Sequence, residues 1–106
     1  MKIFKEEIEG LLSIQPDVYE DSRGYFYEQF NQQKYNEIGI ALNFVQDNIS
    51  YSNKHTLRGL HFQVNHPQGK LVQVLDGKVF DVAVDLRKDS PTFGKWVGKV
   101  LSQENK

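Results

Sequence analysis

Short runs of two-residue alternation, each cut off by turn-forming residues, constrain this chain more than any other feature of it. A side-chain period of two suits a pleated strand and matches no helical face. The alternation predicts strands over Leu11 to Gln15, Tyr25 to Phe30, Phe44 to Ser52, Thr56 to Val64, Lys70 to Leu75, Lys78 to Leu86 and Lys95 to Leu101. Pro16-Asp17 ends the first, and Asp21-Ser22-Arg23-Gly24 leads into the second as a turn. Asp76-Gly77 reads as a tight hairpin between two later runs, and Ser90-Pro91-Thr92-Phe93-Gly94 as a broader turn. Only Asn31 to Ile40 reads as a helix. Asn31 is a capping residue, Tyr35 and Ile38 share a face, and Gly39 stands where a helix stops. Many short strands with regular turns predict an all-β, antiparallel sandwich or barrel with one short helix.

No shift in composition divides the chain, so residues 1–106 are expected to form a single domain. Hydrophobic residues make up 39% and charged residues 25%, a balance that suits a folded chain rather than a disordered one. A formal net charge of -1 gives no general pull on a polyanion, which argues against a nucleic-acid partner. With no cysteine, disulfides, thiolate zinc sites and cysteine nucleophiles are excluded. The start, MKIFKEEIEGLL, carries no sustained apolar run, so neither a signal peptide nor a membrane span is expected, and a cytoplasmic protein is the default expectation. The end, LSQENK, leaves a strand without a closing element. Sheet edges cut there lack partners, which suggests truncation or strand exchange between subunits.

Several polar residues stand where strand alternation gathers them. Gln46, Asn48 and Ser50 share one face of their run, opposite Val45, Asp47, Ile49 and Tyr51. Such a row suits either a polar ligand cavity or the wet side of an edge strand. His61 and Gln63 share a face among large apolar residues. A histidine there is either a general base, its ordinary pKa leaving it largely neutral, or a hydrogen-bonded core residue. Arg58 has the opposite parity, so it meets the same ligand as His61 only across a break at Gly59 or with help from a second chain. Lys70 follows Gly69, which allows a close backbone approach; the lysine is either solvated or placed to stabilise a negative oxygen. Asp81 and Asp85 alternate with Val79 and Ala83, which reads as a wet face or as support for a histidine or lysine.

Taken in order, six segments resemble the dTDP-4-dehydrorhamnose 3,5-epimerase family. They are Asp21-Ser22-Arg23-Gly24-Tyr25-Phe26-Tyr27-Glu28, Gln46-Asp47-Asn48-Ile49-Ser50 and Leu57-Arg58-Gly59-Leu60-His61-Phe62-Gln63, followed by Gln68-Gly69-Lys70-Leu71-Val72, Asp81-Val82-Ala83-Val84-Asp85-Leu86-Arg87 and Ser90-Pro91-Thr92-Phe93-Gly94. The resemblance covers nearly the whole chain. It implies a cupin jelly roll, here incomplete at the C-terminus, and a homodimer that exchanges N-terminal strands. It implies dTDP-4-keto-6-deoxy-glucose as substrate, epimerised at C3 and C5 without cofactor, toward dTDP-L-rhamnose. By position, His61 is then the base and Lys70 the group facing the enolate oxygen. Arg58, Gln46 and Asn48 hold the diphosphate, while Arg23, Phe26 and Glu28 serve the nucleotide in the partner subunit's site.

The resemblance also implies further strands beyond Lys106, bearing the tyrosine that reprotonates the sugar and the aspartate that pairs with the catalytic histidine. Two alternatives remain beside it: a nucleotide-sugar-binding jelly roll without catalysis, and a related epimerase acting at one carbon. Cupins that bind metal usually carry two histidines two apart and then a glutamate. Here Gln63 takes the second histidine's place, and no metal is expected.

Overall fold

The computed structural model describes all 106 residues. Six strands and one helix follow in the order β1 Lys2–Lys5, β2 Leu12–Gln15, β3 Val18–Asp21, β4 Gly24–Tyr27, α1 Gln32–Glu37, β5 Lys78–Val84 and β6 Trp96–Ser102. The strands pair as three antiparallel two-stranded sheets, β1 with β2, β3 with β4, and β5 with β6. Two compact units result, one of residues 1–29 and 72–106, the other of residues 30–71.

In the first unit each strand pairs with the one next to it in sequence. Asp21 pairs with Gly24, so Ser22-Arg23 is a two-residue hairpin turn, and Gly24 takes a positive φ of 133° beside it. The turn was legible in the sequence, but its first arm, β3, was not, because Pro16-Asp17 masked the return of the chain. β1 was likewise unread: Lys2–Lys5 is too short to alternate convincingly, and its pairing with β2 (Ile3 opposite Ile14) makes it a strand. Between these strands Ile8 is buried.

β5 and β6 form the longest ladder, from Lys78 opposite Ser102 to Val84 opposite Trp96. Their link is the broad turn the sequence shows: Gly94 N–H donates to Asp85 O at 2.8 Å, and Asp85 N–H donates to Lys95 O at 2.9 Å. One face carries Phe80, Val82 and Val84 against Val100, Gly98 and Trp96; the other carries Val79, Asp81 and Ala83 against Leu101, Lys99 and Val97. The expected Asp76-Gly77 hairpin is corrected. Gly77 does adopt a positive φ of 81°, but β5 turns to β6 as its partner, and Gln103 N–H donates to Gly77 O at 3.1 Å.

The second unit contains the helix. Asn31 caps it, its Oδ1 accepting from Lys34 N–H at 3.2 Å, and Gly39 ends it at φ 90°. Tyr35 is buried on the inner side, its ring 5.0 Å from Phe30, which meets Phe44 edge-on at 5.4 Å. Gln32 Nε2 donates to Leu42 O at 3.1 Å and holds the chain returning from the helix. From Phe44 to Leu75 no residue belongs to a strand, which corrects three of the expected seven. A strand exists only where a neighbour completes its hydrogen-bond ladder, and these runs have no such neighbour within the chain.

Candidate functional site

The polar residues singled out from the sequence fall into both units, and each is described where it lies. In the second unit, Gln46 Nε2 donates to Asn48 Oδ1 at 3.2 Å. That contact places the two amides on a common side, as their i, i+2 spacing predicts, although the run is not a ladder strand. Arg58 Nη2 donates to the carbonyl of Tyr51 at 3.2 Å, which ties the two motif segments together and leaves its other N–H groups for a ligand.

Gly59 offers one of the two ways out of the opposite parity of Arg58 and His61, the other being a contact from a second chain. It takes a φ of 93°, where side chains are strained, so alternation does not carry across it. A Cβ built there would lie 3.4 Å from the His61 amide nitrogen and 3.6 Å from its Nδ1. The His61 ring therefore folds back over the bare glycine backbone. His55 and His66, outside any strand or helix, also take positive φ, 68° and 57°. Before Lys70, the Gly69 backbone approaches Leu42 so closely that an added Cβ would lie 3.0 Å from Leu42 Cδ1. The close approach expected of Gly69 is present, and it fixes the point from which Lys70 extends. Gln46, Asn48, Arg58, His61 and Lys70 are all exposed within the chain.

In the first unit, Arg23 sits on the β3–β4 turn and folds its guanidinium onto Asp21, Nη2 to Oδ2 at 2.6 Å with Nε bridging both oxygens. The charged fork holds the Asp21 carboxyl below its ordinary range, with the Arg23 backbone N–H adding to it. Arg23 is thus not a free cation here, its guanidinium being engaged by Asp21. Phe26 on β4 is 69% exposed, opposite Tyr19, and offers an open ring face. Glu28 follows just beyond β4 and is exposed. Asp81 stands on β5 directly across from Lys99.

Two arrangements escaped the sequence. Asp85 is not on a wet face. It lies just past β5, its side chain 1% exposed, and accepts from Arg87 Nε at 2.8 Å, Ser90 Oγ at 2.5 Å and Thr92 Oγ1 at 2.6 Å. Those donors, Arg87 first, hold its carboxyl far below the usual carboxylate range. The signal was present in Asp85-Leu86-Arg87 and Ser90-Pro91-Thr92, where donors return to a carboxylate through an i+2 fork and a turn. The second is the Glu6–Lys99 ion pair at 2.9 Å, joining the β1–β2 turn to β6. No local spacing announces it, because 93 positions separate its partners.

An all-β scaffold with one short helix is the architecture of the cupin-type jelly-roll epimerases, and comparison with solved structures agrees. The chain superposes with a TM-score of 0.95 and 57% identity on a dTDP-6-deoxy-D-glucose-3,5-epimerase from Legionella pneumophila in complex with dTDP-4-keto-L-rhamnose, covering 99% of this chain and 56% of that one. A dTDP-4-dehydrorhamnose 3,5-epimerase from Bacillus anthracis, with TDP and PPi bound, gives 0.91 at 46% identity, covering 98% of this chain and 61% of the other. The family model for dTDP-4-dehydrorhamnose 3,5-epimerase matches residues 5–106. The chain belongs to the dTDP-4-dehydrorhamnose 3,5-epimerase family. Among curated relatives of that description, the Methanothermobacter thermautotrophicus protein is 53% identical over 105 residues and the Shigella flexneri protein 56% identical over 108. The alignments cover 99% and 100% of this chain, which spans 57% and 60% of the relatives' length. No helix is long and apolar enough to cross a membrane.

Proposed function

We propose that residues 1–106 are one cupin-like domain carrying the proton-abstracting part of a dTDP-4-dehydrorhamnose 3,5-epimerase, acting on dTDP-4-keto-6-deoxy-glucose. The observation that carries this is the likeness, at a TM-score of 0.95, to an epimerase in complex with dTDP-4-keto-L-rhamnose. Protons on the carbons flanking a C4 ketone are acidic because the resulting enolate spreads its charge onto the carbonyl oxygen. His61 takes the proton, and the Lys70 ammonium stabilises the oxygen as charge develops on it. Both roles need only ordinary side-chain chemistry, so the reaction as proposed uses no cofactor. Asp81 is read as a supporting carboxylate and not as the histidine's partner.

Arg58, Gln46 and Asn48 hold the diphosphate, a role that the Gln46–Asn48 contact and the partly free Arg58 fork support. Arg23, Phe26 and Glu28 serve the nucleotide of a partner subunit's site, Phe26 by stacking and Glu28 by accepting a base N–H. That partner is a second copy, in a homodimer that exchanges N-terminal strands. The exposed Ile3, Phe4 and Tyr19 on short two-stranded sheets support such pairing, since isolated hairpins are marginally stable. The setting is the cytoplasm, where nucleotide sugars are interconverted, and the product feeds dTDP-L-rhamnose formation.

The test is NMR of the keto-sugar nucleotide in deuterated buffer. Deuterium is expected at C3 and C5, and His61→Asn is expected to slow that exchange by about 10²–10⁴-fold while dTDP still binds. Uptake at one carbon only would instead mark a single-carbon epimerase. Binding of dTDP with no exchange would make the chain a nucleotide-binding jelly roll, and unchanged exchange in His61→Asn would remove His61 as the base.

A further inference from the structure

Gly77 is the one glycine of this chain that follows an aspartate, and no asparagine precedes any glycine. The pair Asp76-Gly77 lies in a bend, residues 75–77, between a run without a ladder partner and the first residue of β5. Asp76 is exposed, and its carboxyl takes no hydrogen bond or ion pair within the chain. Gly77 is exposed as well, and nothing lies within 4 Å of the place a Cβ would fill. Its N–H is held only by Gln103 Oε1, at 3.4 Å, past the usual range of an N–H···O bond.

Those conditions suit one reaction, the attack of a backbone amide on the side chain before it. The Gly77 nitrogen bonds to Asp76 Cγ and closes a succinimide ring. The Cγ–OH bond of the protonated carboxyl breaks, and the hydroxyl leaves as water with the amide hydrogen. Water then adds to one of the two ring carbonyls. Opening at Cγ restores aspartate. Opening at the main-chain carbonyl breaks its bond to the Gly77 nitrogen and leaves an isoaspartyl link with a free α-carboxylate. No oxidant, reductant or cofactor enters. A Cβ on the attacking residue would crowd the ring, and glycine has none.

Other aspartates lack one or more of these conditions. Asp21, before Ser22, is gripped by the Arg23 guanidinium. The Asp85 side chain is enclosed and held by Arg87, Ser90 and Thr92. Asp89 precedes Ser90, whose N–H is already donated to Arg87 O at 3.0 Å. We propose that Asp76 is a site of spontaneous isoaspartate formation, and that the change releases the open end of the β5–β6 ladder. The isoaspartyl link adds a methylene to the main chain immediately before Gly77, whose carbonyl accepts from Gln103 N–H at 3.1 Å. Gln103 thus bonds Gly77 through both backbone and side chain, just beyond the Lys78–Ser102 pair. A shift of the Gly77 peptide lets go of both.

The test ages the full chain at neutral pH and body temperature. The probe is a protein isoaspartate methyltransferase with tritiated S-adenosylmethionine, whose methyl goes to the freed α-carboxylate. Label is expected to grow with time, to map to residue 76 by electron-transfer fragmentation, and to be lost in Asp76→Glu, whose longer side chain closes a ring far more slowly. The folded chain is expected to isomerise within about tenfold of the rate of a free peptide of residues 72–82, since the bend needs little local opening. No label in the parent chain, label centred on another residue, or label retained in Asp76→Glu would each overturn the proposal. So would a folded chain far slower than the peptide, because the fold would then protect Asp76. In the isoaspartyl form, separated by ion exchange, the Gln103 amide hydrogen is expected to exchange about fivefold faster, as the loss of one hydrogen bond implies. Unchanged exchange there would overturn the effect on the ladder.

Discussion

Replacing Gly59 by alanine should slow proton exchange without any new clash, and the reason is backbone geometry. At φ 93° an L-residue is strained, at roughly 1–2 kcal/mol by the handedness of the Cβ–carbonyl contact. The added methyl itself fits: its nearest neighbours, the His61 amide nitrogen and Nδ1, lie at 3.4 and 3.6 Å, ordinary contact distances. Relief comes by letting residue 59 turn to negative φ, which rotates the following peptides and carries His61 away. A cost of 1–2 kcal/mol divides the competent population by about 5–30. Deuterium entry at the sugar's α-carbons should fall by that factor, with dTDP affinity retained. D-alanine at the same position, introduced by chemical ligation, accepts positive φ and should restore the rate. Unchanged exchange with L-alanine would refute the reasoning. So would equal loss with D-alanine, which would place the cause in contact with the imidazole rather than in φ.

Asn31→Ala removes the acceptor for Lys34 N–H and should cost about 1 kcal/mol of helix stability, read as faster hydrogen exchange at the amides of Lys34 and Tyr35. Asp85→Asn tests the depressed carboxyl. A folded-state value below the unfolded one contributes stability that is fully present above the unfolded pKa, about 3.9, and is lost as pH falls below it. Thermal melts should therefore show the parent chain well above Asp85→Asn at neutral pH, with the gap closing in acid, whereas parallel curves would show that the carboxylate's charge is not what Arg87, Ser90 and Thr92 stabilise.

Residues of local character were open to inspection in the sequence. The Asn31 cap and the Gly39 stop bracket the helix because both act within one turn of it. The Ser22-Arg23 turn and the broad turn at Ser90 to Gly94 were readable for the same reason. The shared side of Gln46 and Asn48 follows from spacing alone, and the break in alternation at Gly59 answers a parity conflict already visible between Arg58 and His61. Residue types and order were also enough to suggest the family, because six motifs in sequence restrict the choice far more than any one.

Pairing was beyond the sequence. Nothing local distinguishes Lys70 to Leu75 from Lys78 to Val84, yet only the latter finds a ladder partner and becomes a strand. Asp85 looked like a surface acid until the turn brought three donors onto it, and its burial is a property of that closure. The choice of Lys99 between Asp81 and Glu6 was likewise settled only when β6 met the β1–β2 turn. The sequence by itself determined the turns, the caps, the faces and the inventory of reactive groups, since each depends on neighbours a few positions away. Tertiary structure alone decided which strands pair and which charges meet, because those energies arise between residues whose separation along the chain carries no information about their distance in space.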